Sequence, residues 1–237
     1  MSTAALFNRI LHAELNAYAA WLPVTNTFKL GDYGLISNGV FTPIGNITEF
    51  GVAFAEEHGP PATLDLTSAG TRVIRFVGDV EVPALPDAPL DAKLVFHFPN
   101  ESSVLAKAAA ITTKQMGNVR QVASTLVRAK GWERRYRVVW GTYTGQRCAV
   151  VTTRSSNASF ELSGKANVLS KLELGAVEAG VTLAHERNIG FKSLGKTGVI
   201  ALRLFKLKLW GDSPKLLGPG DEPEVEQDGP ADLEDDV

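Results

Sequence analysis

Apolar residues recur every three to four positions along the first part of the chain. The residues that share this spacing are Leu6, Ile10, Leu11, Leu15, Tyr18 and Leu22. Ser2 and Thr3 offer caps in front of them, and Pro23 follows them. The pattern predicts an amphipathic helix of about five turns that ends before Pro23. We expect its apolar face to pack on a sheet.

Strand-like runs take over after Pro23. The stretch "FKLGDYGLISNGVFTPIGNITEF" predicts a β-hairpin, because Asn38-Gly39 supplies the positive φ angles of a tight turn. Further strands are predicted over Arg72 to Val82, Lys93 to Phe98, Tyr136 to Thr153, Ala158 to Gly164, Glu173 to His185 and Val199 to Trp210. Since strands mostly follow strands, the predicted class is α+β, mainly a twisted antiparallel sheet with an N-terminal and a central helix.

The central helix is predicted in "ESSVLAKAAAITTKQMGNVRQVASTLVRAKG", where apolar residues hold a helical period from Val104 to Leu126. Gly131 suits the position just after its end. Its charged residues after Glu101 are all basic, namely Lys107, Lys114, Arg120, Arg128 and Lys130. Such a basic amphipathic helix either presents a solvated face or lies on an anionic lipid surface.

The last predicted strand lies in "GVIALRLFKLKLWG". Its apolar residues change phase at Leu204-Phe205, and a β-bulge there would bring them to one face. Arg203, Lys206 and Lys208 would then share the opposite face. This strand directly follows "GFKSLGKT", which matches the phosphate-binding pattern G-x-x-x-x-G-K-[ST]. A true phosphate loop needs a helix after the motif. We therefore interpret Gly190 to Thr197 as a connection between strands and the match as a coincidence.

Other chemistry is not indicated by the sequence. The four histidines are far apart and make no zinc pattern, so no metal or other cofactor is predicted. Cys148, the one cysteine, lies in an apolar run that favours a buried thiol and allows no intrachain disulfide, which predicts a cytoplasmic protein. The basic residues are spread along the chain without a nucleic-acid-binding signature. We expect neither an enzyme nor a nucleic-acid-binding protein.

Charge divides the 237 residues into two parts. Residues 212–237 hold ten acids and one base, Lys215, for a net charge of −9, whereas residues 1–211 carry +7. The terminal stretch is rich in proline and glycine and poor in apolar residues, which predicts a disordered acidic tail with "KLL" as a short docking point. The tail either solubilises the chain or folds back on the basic domain, residues 1–211, and masks it.

The strand pattern resembles the pore-forming domain of the gasdermin family, bacterial type. The residues that carry the resemblance are "VVWGTYTGQRCAVVTTRSSNASFELSGKA", "LELGAVEAGVTL" and "GKTGVIALRLFKLKLWG", with "AYAAWLPVTNTFKLGDYGLISNGVFTPIGNI" similar to the opening helix, link and hairpin of that family. The similarity covers most of residues 10–210. It implies a cytosolic defence protein whose short C-terminal segment is removed by a partner protease, after which copies assemble on the membrane into an oligomeric pore.

Two functions of different classes follow. In the first, the chain is a membrane-binding or pore-forming effector that its tail holds soluble. Its lipid contacts would be Lys192, Lys196, Arg203, Lys206, Lys208, Lys107, Lys114 and Arg120, and its inhibitory acids Asp221, Glu222, Glu224 and Glu226. Anionic lipid attracts such bases, and the protein would move to the inner face of the membrane on activation. In the second, the chain is a soluble binding or structural module with a solubilising tail.

Overall fold

The computed structural model describes residues 3–37, 39–208 and 214–217. Within these ranges the helices are α1 (Thr3–Leu15), α2 (Val119–Leu126) and α3 (Ala166–Glu173), with a 3-10 turn at Ile47–Phe50. The strands are β1 (Tyr18–Ala19), β2 (Asp32–Ser37), β3 (Val40–Asn46), β4 (Glu56–His58), β5 (Ala62–Thr67), β6 (Arg72–Val77), β7 (Val80–Val82), β8 (Asp91–Phe98), β9 (Val104–Met116), β10 (Arg137–Thr153), β11 (Ala158–Lys165), β12 (Thr182–Arg187), β13 (Ile189–Leu207) and β14 (Pro214–Leu216).

These strands form two antiparallel sheets, so the predicted α+β class with an N-terminal helix is confirmed. The larger sheet is built on β10 and β13, which pair from Arg137 opposite Lys206 to Thr153 opposite Ile189. On its other edge β10 pairs with β2 and β9, and β9 in turn pairs with β4 and β5. The smaller sheet has the strand order β12-β11-β8-β6-β7.

Both faces of the larger sheet are covered. On one face α1 contributes Phe7 and Leu11 to a cluster that includes Val150. On the other face Val151 joins a cluster built from the smaller sheet and α3. Side chains alternate between faces along a strand, so neighbours such as Val150 and Val151 are both buried in different clusters. This arrangement explains why the central strands have continuous apolar runs.

The two predicted helix lengths are wrong. Residues 104–116 form β9, and only Val119–Leu126 is helical in the central segment. Val104, Leu105 and Ala106 are all buried because β9 is covered on both faces, and such a run fits a helical period as well as a strand. The first helix ends at Leu15, where Asn16 takes a left-handed φ of 51° and Ala17 N–H bonds back to Leu11.

The hairpin prediction around residue 38 is confirmed, since Ser37 pairs with Val40 and joins β2 to β3. Asn38 itself lies outside the described residues. Two other predictions for strands are wrong in detail. Arg72 to Val82 is a hairpin of β6 and β7 that turns at Gly78, whose φ is 60°. Glu173 closes α3, and the strand predicted from that residue begins only at Thr182.

The predicted connection at Gly190 to Thr197 and the predicted bulge at Leu204-Phe205 are also wrong. Gly190 to Thr197 lie inside β13, and the connection from β12 is Asn188. Leu204 and Phe205 are both buried because they enter clusters on opposite faces, so no bulge is needed between them. Arg203 and Lys206, three positions apart, therefore lie on opposite faces of β13, and the prediction that Arg203, Lys206 and Lys208 share a face is wrong. The register shift falls on the partner strand at Trp140, between Val139 and Gly141.

Candidate functional site

The eight basic residues predicted to contact lipid lie on three elements. Strand β13 and the residue that follows it hold Lys192, Lys196, Arg203, Lys206 and Lys208; β9 holds Lys107 and Lys114; and α2 holds Arg120. Arg120 is exposed on the outer side of its helix. Lys192 and Lys206 lie near opposite ends of the long strand β13, so the fold does not gather all of these residues into one patch.

The two lysines of β9 are paired with carboxylates on the neighbouring strands. Lys107 Nζ lies 2.7 Å from Asp65 Oδ2 and donates a second hydrogen bond to the carbonyl oxygen of Glu173 at 3.1 Å. Its side chain is only 14% exposed. Lys114 Nζ lies 2.7 Å from Glu56 Oε1. These lysines therefore tie β9 to β5 and β4, and Lys107 is not presented to a surface outside the protein.

The two lysines lower the pKa values of the carboxyl groups with which they pair. Partial burial acts to raise the pKa of Asp65, but hydrogen bonds from Lys107 and Thr67 outweigh it, so the pKa lies below its ordinary value. The hydrogen bond from Lys114 lowers the pKa of Glu56 in the same way. Both carboxylates are therefore held in their charged form.

Three basic residues of β13 lie in different local surroundings. Lys192 forms an ion pair with Glu186 of β12. Lys196 is exposed and lies opposite Cys148 in the strand register. The Arg203 guanidinium carbon stacks over two aromatic rings, 5.3 Å from the centroid of Trp140 and 5.1 Å from that of Tyr143. Cation–π contacts of this kind hold the guanidinium against the sheet.

A row of bases crosses the end of the larger sheet. Lys206 of β13 lies opposite Arg137 of β10 on one side and opposite Lys215 of β14 on the other. Residues in register on neighbouring strands share a face, so we call Arg137, Lys206 and Lys215 the basic row. Lys208 is exposed two positions beyond Lys206, and its carbonyl oxygen accepts a hydrogen bond of 2.6 Å from Arg134 Nη1. Like charges in register repel each other, so an anion near this row is stabilised.

The C-terminal segment is anchored beside the basic row. Strand β14 pairs with β13 from Pro214 opposite Leu207 to Leu216 opposite Phe205. Leu217 N–H donates a hydrogen bond of 3.0 Å to the carbonyl oxygen of Leu204, and the Leu217 side chain is only 7% exposed in a cluster with Phe28 and Phe41. The prediction that "KLL" docks is therefore confirmed, and residues 214–217, beyond the predicted boundary at residue 211, are part of the described structure.

The predicted inhibitory acids, Asp221, Glu222, Glu224 and Glu226, lie outside the described residues. Asp221 follows the buried Leu217 by four positions in the sequence. Sequence reasoning missed Arg137 and Lys215 as neighbours of Lys206, because their contact depends on strand pairing between distant segments. Lys215 was nevertheless marked in the sequence, as the one base among the ten acids of residues 212–237.

Reactive groups are few in the described part of the chain. Cys148 is buried as predicted, and burial raises the pKa of its thiol to about 11. Residues 190–197 are strand throughout, and the strand runs on to Leu207, so Thr197 is not followed by the helix of a phosphate-binding loop. Histidine, cysteine and acidic side chains form no group of three or more suited to a metal ion within residues 3–37, 39–208 and 214–217.

Comparisons with known proteins gave no relative from which a function could be inferred, so the functional proposal rests on the fold and the site. Searches against protein-family models, curated proteins and solved structures found no match to this chain. Among the helices that the structure describes, none has the length and apolar character needed to cross a membrane.

Proposed function

We propose that this chain is a gasdermin-like membrane-binding or pore-forming effector that its acidic C-terminal segment keeps inactive. One observation carries the proposal. The acidic segment begins at a docked strand, β14, that lies in register with Lys206 and so starts beside the basic row. The chain therefore leads into its acidic residues from a strand that lies next to these bases, the place where masking would be most effective.

Electrostatics supports masking at this place. Residues 1–211 carry a net charge of +7, and residues 212–237 carry −9. A basic residue close to an anionic membrane contributes about 1 kcal/mol of attraction. Acids in the same chain would compete with lipid phosphates for Lys206 and Lys208, because both kinds of anion satisfy the same cations. Removing the acids would then leave these bases available to the membrane.

Cleavage at two different positions would expose the basic row in two different ways, because β14 and Leu217 hold the start of the acidic segment on the sheet. A cut after Leu217 removes nine acids but keeps β14 and the buried leucine in place. A cut at Gly211 also removes β14 and uncovers the edge of β13. Under the proposal a partner protease makes such a cut, and the released copies gather on the inner face of the membrane as a homo-oligomer.

Dye release from liposomes tests the proposal. We would compare the full chain, a chain ending at Leu217, and a full-length chain with its nine acids from Asp221 to Asp236 changed to Asn or Gln. The last variant keeps the length of the segment and removes only its charge. We expect release from phosphatidylserine vesicles by both altered chains, little release by the full chain, and little from neutral phosphatidylcholine vesicles.

Circular dichroism of each chain shows whether the altered proteins are folded. Folded altered chains that release no dye from either vesicle and do not float with phosphatidylserine vesicles would contradict an effector function. Such a result would favour the alternative, a binding or structural module in which the acidic segment only keeps the chain soluble.

A further inference from the structure

A second group of cations lies on the outer face of the smaller sheet. Arg72 of β6 is in register with His97 of β8, His97 with Ser159 of β11, and Ser159 with Arg187 of β12. Residues in register share a face, so these four side chains form one row across four strands. The neighbours of His97 in β8 are buried phenylalanines, so the row points away from the core.

This row lines a groove of about 650 Å³. Pro99 and Asn157 close one end, where β8 ends and β11 begins, and Ile74 adds an apolar patch. Small-molecule sites usually have volumes of about 300–1,000 Å³ and combine apolar lining with a few convergent polar groups. The described residues that line this groove include two arginines and no acid. Its size and its charge therefore suit a small anion.

Arg72 and Arg187 are not ion-paired with described residues, unlike most of the cations around them. On the same sheet Lys165 pairs with Asp91 at 2.7 Å and Lys93 with Asp79 at 3.8 Å, and Arg75 pairs with Glu173. Arg72 and Arg187 are exposed, and neither side chain forms an ion pair or hydrogen bond with the residues that the structure describes. Glu186, the neighbour of Arg187 in sequence, is paired with Lys192 instead.

One carboxylate lies on this face near the row. Glu161 follows Ser159 by two positions in β11 and is in register with His185. Glu161 therefore lies beside the row, displaced along the strand direction, and is not a member of it. The row of Arg72, His97, Ser159 and Arg187 keeps an excess of positive charge. Guanidinium groups bind phosphate oxygens through paired, charge-assisted hydrogen bonds, and hydroxyl and imidazole groups add donors to such sites.

We propose that this groove binds a small ligand with more than one phosphate group. Three strand spacings separate Arg72 from Arg187, or about 14 Å between their backbones. A single phosphate is small for that span, whereas a chain of linked phosphates extends along the row. Arg72 and Arg187 hold its two ends, and His97 and Ser159 contact its middle. The site is separate from the basic row and does not depend on the membrane function.

Isothermal titration calorimetry of the full chain with tripolyphosphate tests this site. We expect tripolyphosphate to bind more tightly than orthophosphate. Arg72→Gln and Arg187→Gln should each weaken binding about tenfold, because each removes charged hydrogen bonds. Arg9→Gln is the matched control, since it removes the same charge from an exposed position on α1, a helix that does not line the groove. The control should bind as the unaltered protein does.

Vesicle flotation with the same substitutions in the chain ending at Leu217, which keeps the groove but lacks the masking acids, identifies the source of the phosphate. Weaker binding of Arg72→Gln to tripolyphosphate alone would indicate a soluble ligand. Weaker binding also to vesicles of phosphatidylcholine with phosphatidic acid would indicate a lipid headgroup. If tripolyphosphate does not bind the unaltered protein, or if Arg9→Gln weakens binding as much as Arg72→Gln and Arg187→Gln, the site does not exist as proposed.

Discussion

Individual charged residues in this chain follow two different arrangements. Lys107 and Lys114 form ion pairs with carboxylates on neighbouring strands and so stabilise the pairing of these strands. Lys206 instead faces Arg137 and Lys215, which have the same charge. A cross-strand pair of opposite charges stabilises a sheet, whereas like charges in register cost stability and favour a nearby anion. The first arrangement predicts a contribution to folding, and the second concentrates positive charge around Lys206.

The ion pair of Asp65 with Lys107 should make folding stability depend on pH. The pKa of Asp65 in the folded protein lies below its ordinary value of 3.8. Its contribution is therefore complete above about pH 4 and is lost as the pH falls through the lower folded pKa. Asp65→Asn should reduce the free energy of unfolding at pH 7 by at most about 1 kcal/mol, because water screens the pair. It should also reduce the loss of stability on acidification.

Urea unfolding at pH 7 and pH 3 measures both effects. Asp79→Asn is the control, because the Asp79 side chain is 99% exposed and 3.8 Å from Lys93. The control should change the free energy of unfolding less than Asp65→Asn does. Equal effects of the two substitutions at both pH values would show that the pair on β9 contributes nothing specific.

At the scale of elements, the chain is organised by strands that are buried on both faces. Such strands lack the two-residue alternation that makes a strand recognisable in a sequence. The alanine-rich segment of β9 was therefore predicted as a helix, whereas the β2–β3 hairpin was predicted correctly from the dipeptide Asn38-Gly39 in the sequence. The site was predicted in part for a similar reason. Lys206 stood out in its own strand, but its pairing with Arg137 depends on a register between distant segments.

Strand β14 should owe its attachment mainly to one side chain. Leu217 is 7% exposed and fills a cluster on the larger sheet, whereas its neighbour Leu216 is 51% exposed. Leu217→Ala should lower the free energy of unfolding by about 2 kcal/mol, since it removes buried methyl groups and leaves a cavity. Leu216→Ala is the matched control and should change it by less than about 0.5 kcal/mol.

Thermal and urea unfolding of the two variants measures the difference. If Leu217→Ala and Leu216→Ala reduce stability equally, Leu217 does not anchor the segment. The acidic residues would then not be held beside the basic row, and the masking proposal would lose its structural support.

The whole molecule combines a positive body with a negative C-terminal segment that starts beside a row of bases. An overall charge of −2 conceals this division. The division predicts a protein that avoids anionic membranes while the segment is present and binds them when the segment is removed. Because the attraction is electrostatic, binding should weaken as salt rises and shortens the range of the charges.

The central claim is that the acidic segment masks the basic row, and flotation with phosphatidylserine vesicles tests it most directly. We expect the chain ending at Leu217 to float with these vesicles at low salt and the full chain to remain unbound. Lys206→Gln combined with Lys208→Gln should weaken binding of the shortened chain about tenfold or more. Lys165→Gln combined with Lys171→Gln removes the same charge from β11 and α3, elements of the smaller sheet's cluster, and should leave binding nearly unchanged. Equal flotation of the full and shortened chains would contradict the claim.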